Sequence, residues 1–106
     1  MGDPRMTLQL QAVLEVFFAD PAQARYGLEL CEATALPSGT IYVILARLEG
    51  CGWVESAWEA SADYDGSGRP RRRYYTITDK GRAAAPEAIN RAYGKRRRPP
   101  PSWVPA

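Results

Sequence analysis

The chain has 106 residues, with apolar content of 45%, charged content of 25% and a formal net charge of +2. That length fits one domain with its own small core, and no apolar run approaches the ~20 residues of a membrane helix. There is no histidine, and the two cysteines, Cys31 and Cys51, lack CxxC spacing, so neither a zinc site nor a histidine-based active site is expected. Both thiols are expected to be buried and inert, and the chain to be cytoplasmic, because its first residues lack the basic start and apolar core of a secretory signal.

The small net charge conceals an asymmetry. Residues 1–65 carry three arginines against ten acids, or −7, whereas residues 66–106 carry nine arginines and two lysines against two acids, or +9. Clustered cations of this kind form a footprint for a polyanion.

Residues 1–6 read as a leader before a domain spanning 7–93. From Thr7, a plausible N-cap, Leu8, Ala12, Val13, Val16 and Phe17 recur at helical spacing and predict a core stripe. Leu10, Leu14 and Phe18 widen that apolar face and predict a second partner, a dimer. Asp20-Pro21 ends the helix. A second helix is expected from about Arg25 to Thr34, and Ala35-Leu36-Pro37 makes the turn.

Ser38 is expected to cap a third helix over about 38–50. Ile41, Ile44, Leu45 and Leu48 give its i, i+3, i+4, i+7 core stripe, so Gly39, Thr40, Val43 and Arg47 must face outward, flanked by Tyr42 and Ala46. That face is almost free of acids until Glu49, its first turn is small, and it offers hydroxyls for phosphates or base edges and a valine for a thymine methyl. A strand follows from Trp53-Val54 to about Glu59, then a polar loop over 60–72, then a strand over Tyr74 to Thr78 with Tyr75 and Ile77 facing inward. Arg69, Arg71, Arg72 and Arg73 decorate this wing, over about 53–78, and are the predicted phosphate contacts. Trp53 and Trp58 are expected to pack in the core or wing.

Thr78 is a good cap for a last helix over about 79–93, with Ala88, Ile89, Ala92 and Tyr93 on its interfacial face and Pro86 expected to kink or divide it. The segment 94–106, GKRRRPPPSWVPA, is a basic and proline-rich tail whose Lys95 and Arg96 are candidate DNA contacts. The reading is α+β, mainly α with a small β-hairpin. Its architecture is a winged helix-turn-helix: a three-helix core, a two-stranded wing and a C-terminal dimerisation helix.

The run Tyr26-Gly27-Leu28-Glu29-Leu30, then SGTIYVILARLEGCGWVE from Ser38, then RRRYYTITDKGR ending at Arg82, resembles the PadR-like transcriptional regulators over roughly residues 8–85. Val43 stands where that family usually has proline, and the last helix is unusually alanine-rich. The resemblance implies a homodimeric repressor that binds double-stranded DNA, joined through its first and last helices; no catalysis and no cofactor are expected, because the chain has no histidine, no carboxylate pair in a plausible cleft and no phosphate-binding glycine loop. A small-molecule inducer is a further implication, since some relatives bind aromatic molecules at the dimer interface. A different class of function keeps the same fold as a protein-interaction module of the transcription machinery, with the proline-rich tail as its docking segment.

Overall fold

The computed structural model describes residues 3–60, 68 and 70–93. The elements in chain order are α1 (Leu8–Ala19), β1 (Arg25–Tyr26), α2 (Gly27–Thr34), α3 (Ser38–Gly50), β2 (Val54–Trp58), β3 (Arg73–Ile77) and α4 (Asp79–Tyr93). No single helix among the described residues is long and apolar enough to cross a membrane.

Thr7 caps α1 by accepting the Leu10 N–H at 3.0 Å, satisfying a donor that has no partner inside the helix. The face that α1 buries keeps Val13 and Phe17 of the expected stripe and replaces the rest. Leu10, Val13, Leu14 and Phe17 are inside, whereas Leu8 is 67% exposed.

Helices α2 and α3 meet at a bend of 114°, the helix-turn-helix geometry. Ala35 makes the corner at φ 60°, with its N–H on the Cys31 carbonyl at 2.8 Å. Thr34 stiffens it: its hydroxyl donates to the Leu30 carbonyl at 2.7 Å and accepts the Leu36 N–H at 3.3 Å. Ser38 is the first helical residue of α3, and the cap position falls to Pro37, whose ring offers no side-chain acceptor.

The wing is one strand richer than expected. Strand order is β1-β3-β2, antiparallel throughout, with Arg25 opposite Tyr75 and Val54 opposite Ile77. Strand β1 lies against β3 and ties the start of α2 to the wing. The core gathers Leu10, Phe17, Leu30, Ile41, Leu45, Leu48, Trp53 and Ile77, and Tyr75 joins it from the inward face of β3. Each fully buried apolar side chain of this size contributes about 1.5–3 kcal/mol.

Trp53 is the joint between helices and wing. Its N–H bonds the Leu48 carbonyl at 2.9 Å, its carbonyl takes the Thr78 N–H at 2.8 Å, and its ring is buried. Thr78 caps α4, accepting the Gly81 N–H at 3.0 Å. Pro86 neither divides nor ends α4, which runs as one 15-residue helix.

Candidate nucleic-acid interface

Helix α3 buries Ile41, Ile44, Leu45 and Leu48. Geometry then sends the other side outward. Ser38, Gly39, Ala46 and Arg47 are exposed, Tyr42 is 53% and Val43 51% exposed, and Thr40 is half-buried. Gly39 has open space where a side chain would stand, so the first turn presents bare backbone. With no side-chain cap on its first N–H groups, that turn favours an anion.

Tyr42 is fixed by a neighbour. Its ring lies across Gly27, where an added Cβ would sit 2.5 Å from the Tyr42 hydroxyl oxygen. Gly27 therefore leaves room for the recognition-face tyrosine to pack on α2 while half its surface stays open.

Of this face, Tyr42 lines a cleft of about 560 Å³ together with Tyr26, Leu28 and the wing residues Trp58, Arg71, Arg72 and Arg73, whereas Gly39, Thr40, Val43 and Arg47 border a separate hollow beside Thr7 and Gln9. Trp58, expected to pack, is 63% exposed. The arginines hold different positions. Arg71 is exposed. Arg72 lays its guanidinium over the Tyr26 ring at 4.3 Å, and its backbone N–H bonds buried Glu59 at 3.2 Å. Arg73 donates to the Ser56 hydroxyl through Nε at 3.0 Å and Nη2 at 2.8 Å, and to Glu49 at 3.4 Å. Burial raises the Tyr75 phenol pKa above its ordinary value; nearby Arg73 opposes the rise while Glu49 and Tyr42 add to it. Arg69, Lys95 and Arg96 lie outside the described residues.

Three residues of the expected dimer surface are instead part of the protomer's core. Leu10 and Leu14 have no exposed area and Ala88 has 6%, because the protomer's own core takes them. Leu8 is exposed, Phe18 and Ile89 are half-buried at the edge of that core, and Ala92 is half-buried. The side chain of Tyr93 is not among those described. Of the thiols, Cys51 is buried and Cys31 half-buried, and both are free. No group of three or more metal-ligating side chains occurs among the described residues.

The sequence reading missed Tyr26, Ser56 and Glu49 as parts of this region. Glu49 was visible as the first acid of the third helix, but a sequence alone does not show which strand residue it meets.

The profile of the transcriptional regulator PadR-like family matches residues 13–87, most of the chain. The chain belongs to that family. A PadR-like transcriptional regulator from Bacillus cereus is 30% identical, with 84% of this chain and 88% of that one covered at a TM-score of 0.54. A PadR family regulator from Eggerthella lenta shares the fold at 22% identity, covering 83% and 78% with a TM-score of 0.62. BpsR from Bordetella bronchiseptica, whose DNA binding is regulated by 6-hydroxynicotinic acid, does so at 21% identity, covering 89% and 64% with a TM-score of 0.63. The search of curated proteins found no match. This PadR-like protein is thus a winged-helix, DNA-binding transcriptional regulator and not an enzyme.

Proposed function

We propose that this PadR-like chain works as a homodimeric repressor that reads an inverted repeat. One observation carries the reading: Tyr42, on the acid-poor outward face of α3, lines the same cleft as the wing arginines Arg71 and Arg72, so a duplex can meet helix and wing at once. The N-terminal half of α3, with Ser38, Gly39, Thr40, Tyr42 and Val43, enters the major groove, and Arg47 flanks it. Arg71 and Arg72 lie along the phosphates, extended by Arg69, Lys95 and Arg96. Leu8, Phe18, Ile89, Ala92 and Tyr93 supply the dimer contact, and two-fold symmetry sets the half-sites about one helical turn, ~34 Å, apart.

The test is salt-dependent binding to a labelled inverted-repeat library. Wild type should enrich a palindrome. Thr40→Ala/Tyr42→Ala should lose selectivity between sequences, and Arg71→Ala/Arg72→Ala should weaken all sequences alike. In that second variant the salt slope should fall by about 0.9 for each phosphate that is no longer neutralised. Enrichment of no sequence would overturn the reading and favour the protein-interaction module.

Small-molecule control is a second reading, favoured by the aromatic lining of the 560 Å³ cleft and consistent with the effector of the Bordetella neighbour.

A further inference from the structure

Arg73 differs from the expected phosphate contact in what surrounds it. Its guanidinium holds Ser56 of β2 with two hydrogen bonds and pairs with Glu49 of α3 at 3.4 Å. The other Glu49 oxygen accepts the Ser56 hydroxyl at 2.5 Å, closing a three-residue ring. The rings of Trp58 and Tyr75 each lie 5.8 Å from the same guanidinium. Glu49 stands in the last turn of α3, and Ser56 and Arg73 stand on the neighbouring strands β2 and β3.

Along the chain, α3 reaches the wing only through Cys51-Gly52-Trp53, and Gly52 sits at φ 81°. The Trp53 hydrogen bonds and the β1–β3 pairing seat the wing, and the side chains that cross from α3 to β2 and β3 trim its tilt. We propose that Arg73, with Glu49 and Ser56, is a positioning clamp that sets the wing against the recognition helix, and that Arg73 is not one of the phosphate contacts. Three physical points support this. The guanidinium's charge is offset by a carboxylate at contact distance, so it attracts a phosphate less than an unpaired arginine would. Its planar fork engages two partners at once, a geometry lysine does not reproduce. The pair is about 40% exposed (43% and 37%), where an ion pair adds little stability, so its effect belongs to geometry more than to folding.

The reading rests on DNA binding by the wing and α3, and the sign of one substitution separates it from the alternative. If Arg73 were a phosphate contact, Glu49→Gln would remove a repelling carboxylate and tighten binding. A clamp predicts that Glu49→Gln weakens it. The experiment is fluorescence anisotropy of the full chain on its selected inverted repeat over a range of salt. Expected are roughly tenfold losses for Arg73→Ala, Arg73→Lys and Glu49→Gln, about 1.4 kcal/mol each. Their log K against log[salt] slopes should match wild type, while Arg71→Ala flattens the slope. Glu49→Gln/Arg73→Ala should bind no worse than Arg73→Ala, because both break one unit. All variants should keep wild-type unfolding midpoints within a few degrees.

A flattened slope in Arg73→Ala, wild-type binding by Arg73→Lys, or tighter binding by Glu49→Gln overturns the clamp. A second arm needs no DNA: the Arg73 Nε–H resonance of the free protein should be resolved and should shift in Glu49→Gln. If wild type binds no DNA, the DNA reading fails while this arm still reports on the clamp. If the resonance ignores Glu49→Gln, the clamp fails whatever DNA does.

Discussion

Three residues, two of them glycines, show how differently a small chemical change acts across this fold. At Gly81 an added Cβ would collide with the backbone carbonyl of Trp53, the joint between helices and wing, and neither side has a flexible end to move. Gly81→Ala is therefore expected to destabilise by about 2–4 kcal/mol in urea denaturation. At Gly39 nothing lies within 4 Å, and alanine favours helix, so Gly39→Ala should add about 0.5–1 kcal/mol of stability. On the proposed reading it also loses DNA affinity, since the methyl projects toward the groove. A variant that gained stability and kept full DNA binding would remove the first turn of α3 from the interface. Tyr75 sets a pH limit of its own. Burial raises its phenol pKa above the ordinary 10, so the folded state holds this proton longer than the unfolded chain does. That contribution is complete below pH 10 and is lost as pH climbs through the folded value. Tyr75→Phe should flatten the fall of the unfolding midpoint in that alkaline window, and an unchanged profile would exclude Tyr75 as its source.

Elements whose packing follows their spacing were legible in the sequence. In α3 the stripe Ile41, Ile44, Leu45 and Leu48 is buried as periodicity required, and the outward face follows from it. Helix α1 is apolar nearly all round, so periodicity offered two stripes, and tertiary packing chose Leu10, Val13, Leu14 and Phe17. Strand β1 has two residues, too few for any alternation to show, and it exists because Arg25 and Tyr26 pair with Tyr75 and Tyr74. Helix α4 is the reverse case, since the sequence carries a clear break signal that packing overrides. Ala85 is fully buried beside Pro86 and Ala88 is buried one turn on, so the core holds the helix across the proline. The lost hydrogen bond and the ring's crowding of the Arg82 carbonyl remain as a local cost. Because Pro86 itself is exposed, Pro86→Ala should stabilise by about 1–3 kcal/mol, read by urea denaturation. No gain would mean that α4 contributes little to global stability.

At the scale of the whole chain, charge is divided along the sequence. Residues 66–106 carry +9, and residues 1–65 carry −7. A single basic wing offers few phosphate contacts, and affinity for DNA grows with the number neutralised, so pairing two wings is a direct way to a tight, salt-sensitive complex. On the proposed dimer reading, the surface for pairing is what the core leaves out: Leu8 at 67% exposure, with Phe18, Ile89 and Ala92 half-covered. Leu8 is the sharpest probe, because it adds nothing to the protomer's core, and a charge there leaves folding intact while forbidding an apolar interface. Leu8→Glu is expected to sediment as a monomer with a wild-type unfolding transition when extrapolated to low protein concentration. Its salt slope on an inverted repeat should fall to about half, since one wing in place of two contacts the backbone. Both changes have to appear together. A monomer that keeps the full slope would mean that each protomer reads DNA alone, and a dimer that survives the charge would place the contact on other residues than these.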